Sequence, residues 1–151
     1  METGPHIRLV LWKAAKAVEK EDQASIINTG LCLTDFSILE ALLHKGPLPI
    51  NRIGGKILLS SGSMTAAINR LQSGGYVKRI KDETDGRYFH VHLTASGQRM
   101  ITEAYGNHKK NLDHLFDVLT EAEKTEFVRL LKKIGYHAGE FKSLPVLGKE
   151  K

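Results

Sequence analysis

The chain has 151 residues, 41% hydrophobic and 26% charged, with a formal net charge of +5 and a pI near 9.3. This is an ordinary globular composition, which excludes a disordered or low-complexity protein. No apolar run approaches the ~18 residues of a membrane span, and the single cysteine, Cys32, excludes a disulfide or a Cys-based zinc site within one chain.

The N-terminal stretch places Arg8, Lys13, Lys16 and Glu19 among its apolar residues. It lacks the unbroken apolar segment of a secretory signal, so the expected location is cytoplasmic. The charge is unevenly spread. Between Asn51 and Leu93 there are seven Lys/Arg against three Asp/Glu, so most of the positive excess lies in the middle third. A basic stripe of that kind suits a polyanionic partner.

Pro5 suits a first helical turn. Ile7, Leu11, Ala14 and Val18 then recur at helical spacing. Gly30 is the expected stop. Thr34 is the expected cap of a second helix, with Phe36, Leu39, Leu42 and Leu43 as its inner stripe, ended by Gly46-Pro47. Ile50, Ile53 and Ile57 predict a short third helix. Ser60 or Ser61 caps a fourth, with Met64, Ile68 and Leu71 inward and Gly74-Gly75 as its stop. Tyr76 to Ile80 and Tyr88 to Leu93 predict a hairpin in which Phe89, Val91 and Leu93 alternate with solvent-facing His90 and His92. Its loop, Lys81 to Arg87, is longer than a tight turn requires.

Thr94 opens a long helix. Thr120-Glu-Ala-Glu123 is a capping-box pattern for a last one, which carries Phe127, Leu130, Leu131 and Ile134. The tail from Ser143 is expected to be loosely held. The expected fold class is therefore mainly α with a small β-hairpin wing. It is read as one domain over 1–151, with a winged helix-turn-helix lobe at 34–93 and dimerisation helices at 1–30 and 94–143. The flanking helices cannot bury all their apolar stripes on so small a lobe, so a second copy of the chain is expected against them.

With Met64, Ile68 and Leu71 inward, Ser61, Thr65 and Asn69 form a separate small polar stripe at i, i+4, i+8. Such side chains allow close approach to base edges. Ser60, Ser61 and Ser63 stand at a helix N-terminus, where backbone N–H groups favour phosphate. Arg70 is expected to reach the DNA backbone from the other end. In the hairpin loop, Asp85 precedes Arg87 by two residues. A carboxylate beside a guanidinium fixes its direction, and an Arg so directed suits a narrow minor groove. The alternatives are a solvated helix face and an idle surface ion pair. The hairpin and the basic middle third weigh toward double-stranded DNA.

Other readings fail on the residues. "GGKILLS" lacks the Ser/Thr after Lys56 and the first Gly of a phosphate loop. "SGS" around Gly62 is not a hydrolase elbow. His90 and His92 share a strand face without a third ligand, so no metal site is expected. No nucleophile–base pairing is visible, so neither an enzyme nor a cofactor is expected.

The segments "GLCLTDFSILEALL", "SSGSMTAAINRLQSGGYVKR" and "DGRYFHVHLTASG" resemble motifs of MarR-type (multiple antibiotic resistance regulator) transcription factors. The resemblance covers the chain in element order, and its specific part is Gly30 to Gly97. It implies a homodimer on a palindromic operator, usually a repressor, released by a small phenolic or lipophilic ligand or by thiol oxidation. It carries Ser60, Ser61, Ser63, Thr65 and Arg70 onto the recognition helix, and Asp85 and Arg87 onto the wing. Gly86 stands where many members have a basic residue, and Ala66 where a larger polar one is frequent.

The resemblance also implies an effector pocket between the dimerisation helices and the DNA-binding lobe, for which Arg8, Trp12 and His44 are candidates. Cys32 precedes the second helix, where the helix dipole favours a thiolate, and is the candidate redox sensor. A Cys buried as a small apolar side chain is the alternative. Two functions stay open: a ligand-responsive DNA-binding regulator, and a winged-helix module that binds a protein partner instead.

Overall fold

The computed structural model describes residues 1–57 and 61–142, with the backbone alone at 55–57 and 61. Ser60 and the tail from Ser143 lie outside the described residues. The elements in chain order are α1 (Gly4–Ile26), a 3-10 turn (Ile27–Thr29), α2 (Leu33–Lys45), β1 (Leu48–Pro49), α3 (Ile50–Ile57), α4 (Ser61–Ser73), β2 (Val77–Lys81), β3 (Phe89–Leu93), α5 (Ala95–Phe116) and α6 (Glu121–Glu140). The chain divides into two compact units, Met1–Leu112 and Asp113–Lys151. The class is the expected one, mainly helical with a winged helix-turn-helix inside the first unit. No single helix among the described residues is long and apolar enough to cross a membrane.

α1 starts where the Thr3 hydroxyl accepts from the His6 N–H, with Pro5 in its first turn. Gly30 closes the following 3-10 turn at φ 74. α2 begins earlier than the expected Thr34 cap. Its N-cap is Cys32, whose backbone is extended and whose carbonyl accepts from the Phe36 N–H at 3.0 Å. Thr34 therefore lies inside the first turn, and the thiol makes no side-chain cap bond.

The sheet has a third strand that the sequence pattern hid. Leu48 and Pro49 pair antiparallel with Val91 and His90, giving the order β1-β3-β2. Two residues are too few to show an alternating pattern, and Pro49 looks like a breaker. On an edge strand its missing N–H is tolerated. β2 and β3 pair from Val77–Leu93 to Lys81–Phe89.

The core of the first unit is continuous. α2 supplies Phe36, Ile38, Leu39 and Leu42; α4 supplies Met64, Ala67, Ile68 and Leu71; Ile26, Leu48, Ile53, Val77, Val91, Ile101 and Ala104 join them. The i, i+3, i+4 spacing on α2 and α4 buries one face of each; the far face of α4 is exposed, while that of α2 is mostly half-buried. On β3 only Val91 is fully buried. Phe89, expected inward, is 38% exposed because it sits beside the loop, at the tip end of the hairpin away from the core.

Two short-range devices set the hairpin on this core. After α4 the Tyr76 N–H bonds to the Leu71 carbonyl (2.9 Å) and the Gly75 N–H to that of Gln72 (3.0 Å). That is a Schellman closure, and it needs the left-handed φ of +79 found at Gly75. The Thr94 hydroxyl donates to the Gly75 carbonyl (2.6 Å) and accepts from the Gly97 N–H (3.0 Å). It thereby caps α5 on the start of the hairpin.

α5 is also tied to α1 by His108, which is 4% exposed. One ring nitrogen meets the Ser25 hydroxyl at 2.6 Å and the other the Asp22 carboxylate at 3.2 Å, while the ring packs on Phe36. Burial pushes the Asp22 carboxyl up, against the opposing influence of His108. Otherwise α1 buries only Ile26, and Ile7, Val10, Leu11 and Trp12 are exposed.

In the second unit, Thr120 and Glu123 form the expected capping box at the start of α6: the Glu123 N–H donates to the Thr120 hydroxyl and the Thr120 N–H to the Glu123 carboxylate. Lys124 binds Glu121 (2.9 Å) and Asp117 (3.5 Å). α6 has no buried residue among those described, and Phe127, Leu130, Leu131 and Ile134 are exposed.

Gly97 offers a direct test of the hairpin–α5 packing. A Cβ there would lie 2.0 Å from the Tyr76 carbonyl oxygen and 2.9 Å from its carbon. Gly97→Ala is expected to lower unfolding stability by about 1–3 kcal/mol, read from the midpoint shift in urea.

Candidate nucleic-acid interface

The outer face of α4 and the tip of the hairpin make up the candidate interface. Because Met64, Ala67, Ile68 and Leu71 are buried, Ser63, Thr65, Ala66, Asn69 and Arg70 are exposed together on the far side. Ser61 opens the helix, so the expected polar N-terminus is present in the backbone. Of its three serines, Ser60 lies outside the described residues.

Arg70 is not simply held out toward a phosphate. Its guanidinium is bidentate on Asp35 of α2, with Nε to Oδ2 at 3.2 Å and NH2 to Oδ1 at 2.8 Å. The Asp35 side chain is only 10% exposed, and a buried carboxylate demands a partner. The pair therefore cross-links α2 to α4. The hydrogen bond to Asp35 pushes the Arg70 pKa up further, and the Cys32 side chain adds a smaller push in the same direction. Cys32 thus stands beside this ion pair. It is exposed, not buried as a small apolar residue, because it caps the helix from outside instead of joining its inner stripe.

Asn69 is also committed. Its Oδ1 accepts from Arg79 of β2 at 2.7 Å, and Gln72 Oε1 accepts from the same guanidinium at 2.6 Å. Arg79 and Gln72 were absent from the sequence-based site. Arg79 looked like one more basic strand residue, and nothing local says that it spans from sheet to helix.

The hairpin tip is organised by Asp82. Its Oδ1 accepts from the Thr84 hydroxyl (2.6 Å), the Thr84 N–H (2.8 Å) and the Asp85 N–H (3.2 Å). Its Oδ2 meets His90 Nε2 at 2.8 Å. His90 is accordingly half-buried and engaged, not a plain solvent-facing strand residue. The bonds from Thr84, then those from His90 and Asp85, hold the Asp82 carboxyl far below the usual carboxylate range. An Asp followed two residues later by Thr is an Asx-turn pattern, so this turn was legible in principle.

Asp85 continues the chain of contacts. It accepts from Arg87 Nε (3.0 Å), Arg87 NH2 (2.8 Å) and the Arg87 backbone N–H (3.1 Å). These bonds from Arg87 lower the Asp85 pKa. The Arg87 side chain remains 84% exposed. Asp85 and Arg87 are thus brought together as expected, with the guanidinium directed and accessible.

The effector candidates are not gathered. Arg8 and Trp12 are exposed on α1. His44 bonds to the Glu40 carbonyl and packs edge-on against Tyr105. Cys32 instead lines a cavity of about 440 Å³ with Lys20, Gln23, Ile26, Ile27 and Leu31. A larger cavity of about 610 Å³ opens between Ser25, Asn28, Thr29 and α5 residues including Met100, Asn107 and Lys110.

The Asp82 turn predicts its own pH dependence. A lowered folded pKa means that its contribution is present above the ordinary carboxylate range and is lost as pH falls through the depressed value. The Thr84 and Asp85 amides should therefore stay protected from exchange at pH 4. In Asp82→Ala they should exchange at loop rates already at neutral pH. Unchanged protection in that variant would remove Asp82 from the account of the tip.

Comparison with known proteins agrees with this geometry. The MarR family model matches residues 31–89. Over 133 residues the chain is 32% identical to the HTH-type transcriptional regulator MhqR of Bacillus subtilis, covering 88% of this chain and 92% of that protein. Its fold is similar to that of Bordetella bronchiseptica BpsR, from a structure described as a mechanism for regulation of DNA binding by 6-hydroxynicotinic acid (TM-score 0.76, 22% identity, 85% of this chain and 98% of the other). It is similar also to an E. coli MarR variant complexed with operator DNA (TM-score 0.75, 21% identity, 87% and 94% covered). Those two likenesses speak for the fold. The match to MhqR spans nearly the whole of both chains, and by that relationship this chain belongs to the MarR family of transcriptional regulators.

Proposed function

We propose that this DNA-binding transcriptional regulator works in the cytoplasm as a homodimeric repressor on a palindromic operator, without catalytic activity of its own. The observation that carries the reading is Arg87: an exposed guanidinium aimed by Asp85, at the tip of a hairpin joined by a three-residue turn to α4. Each protomer sets α4 in a major groove and the hairpin in the neighbouring minor groove, with the two recognition helices about 34 Å apart or a near multiple of it. Ser61, Ser63 and Thr65 lie at the N-terminal half of α4, where base edges and phosphate are met.

Two exposed apolar faces support the dimer. In the first unit α1 exposes Ile7, Val10, Leu11 and Trp12, and in the second α6 exposes Phe127, Leu130, Leu131 and Ile134. Large exposed apolar stripes at helical spacing mark association surfaces. Release follows from a small phenolic or lipophilic effector, in line with the hydroxylated aromatic acid named for BpsR, or from oxidation of Cys32. That thiol is exposed and stands beside the Arg70–Asp35 pair, so a charged or bulky sulfur there acts directly on the tie between α2 and α4.

Selection of duplex DNA from a random pool, followed by a salt titration on the winner, tests the reading. A palindrome bound by two chains with a steep salt slope is expected. A folded dimer that enriches nothing would favour a winged-helix module for a protein partner. Arg87→Ala should weaken operator binding about tenfold with dimerisation intact by sedimentation, and unchanged affinity would take the wing out of the contact. Peroxide-induced release should vanish in Cys32→Ser. Release that persists would assign the response to a site other than this thiol.

A further inference from the structure

Arg79 lies in the middle of β2, opposite Val91 on β3, and is half-buried. It does not point along the sheet to a phosphate. It crosses to α4 and donates to two amide oxygens, Gln72 Oε1 at 2.6 Å and Asn69 Oδ1 at 2.7 Å. Asn69 and Gln72 are three residues apart and so share one edge of the helix. Both bonds are charge-assisted, and the fork of the guanidinium matches two acceptors that a Lys ammonium would not engage in the same way.

Two consequences follow. The first is mechanical. The hairpin that carries Arg87 is attached to α4 by the short Gly74–Tyr76 turn and again by this clamp, which fixes the angle between wing and recognition helix. Neighbouring grooves can be filled together only at a limited range of that angle. The second is chemical. An amide has one acceptor oxygen and one donor NH2. With both oxygens accepting from Arg79, the amide orientations of Asn69 and Gln72 are set and their NH2 groups are directed away from that guanidinium. An Asn that reads adenine needs its oxygen and its NH2 aimed at the base together, whereas an amide whose oxygen is turned to Arg79 offers the base or backbone its NH2, which matches acceptors: guanine O6 and N7, thymine O4, or a phosphate oxygen.

We propose that Arg79 is a positioning residue for operator recognition, which locks the wing to α4 and sets Asn69 and Gln72 as hydrogen-bond donors toward acceptor atoms of the DNA. The proposal rests on the DNA-binding reading above. It concerns how this chain selects and seats its site, since Arg79 itself need not touch the duplex.

The test compares full-length wild type, Arg79→Met, Arg79→Lys and the pair Asn69→Ala/Gln72→Ala, each checked for a cooperative thermal transition. The duplex selected by wild type is the probe. Arg79→Met is expected to lower affinity about tenfold with the salt slope unchanged, because the N–H donors of Arg79 are committed to the amides and make no phosphate contact in the proposal. A slope reduced by about 0.9 would mean a direct phosphate contact and would overturn the proposal. In the Asn69→Ala/Gln72→Ala background Arg79→Met should cost little more, since the three residues act as a unit. A second, full loss there would also overturn it. Arg79→Lys should recover only part of the affinity, and binding equal to wild type would show that charge alone suffices.

Repeating the selection with Arg79→Met distinguishes the acceptor. A relaxed preference for guanine or thymine at one position per half-site places the amides on base edges, and a uniform loss places them on phosphate. Either result supports donor amides. Retention of full affinity by Asn69→Ala/Gln72→Ala would refute them. Failure of wild type to select any duplex would instead count against the DNA-binding reading itself.

Discussion

The pairing of Asp35 with Arg70 is the constraint on which the candidate interface depends. Asp35 is nearly buried on the first turn of α2, where a lone carboxylate would be costly. Only a cation on a packed neighbour removes that cost, and Arg70 does so in bidentate geometry. The pair fixes the rotation of α4 on α2. With rotation fixed, Met64, Ala67, Ile68 and Leu71 face the core. The opposite face, with Ser63, Thr65 and Asn69, is then held outward as a unit. Apolar packing alone tolerates small rotations, whereas a two-point ion pair does not.

The hairpin shows the same logic at the surface. Its acidic residues look unfavourable for a segment that meets a polyanion. The structure turns two of them into scaffolding. Asp82 is consumed by Thr84, Asp85 and His90, and Asp85 by Arg87. The Arg87 guanidinium is exposed at the tip with Tyr88 beside it, and Glu83 is the acidic residue of the loop that stays exposed. A loop longer than a tight turn is what allows such a ring of side-chain bonds to close.

His108 and Cys32 mark where the recognition lobe meets the rest of the first unit. His108 spends both ring nitrogens on α1 and its ring face on Phe36 of α2, so it joins three helices at one buried point. Cys32 stands at the junction of the α1 end with α2, open to a cavity and next to Arg70. Both places adjoin α2, which the Asp35–Arg70 pair ties to α4.

The sequence by itself determined the elements and their faces. The inner stripes of α2 and α4, the stop at Gly74-Gly75, the capping box at Thr120 and the Asp85–Arg87 pair all depend on neighbours within a few residues. Spacing and local hydrogen bonding express them directly. The two-residue β1 was too short to carry a pattern, and the α2 cap shifted because its carbonyl, not its side chain, starts the helix. Only the tertiary structure decided which polar groups are engaged. Arg70 reaches 35 residues back to Asp35, Arg79 reaches from sheet to helix, and His108 reaches 83 residues to Ser25. Asp35 and His108 take partners because burial makes an unpaired polar group expensive, and Arg79 because folding sets the sheet against the helix; both are properties of the folded arrangement, which no local window of the chain records.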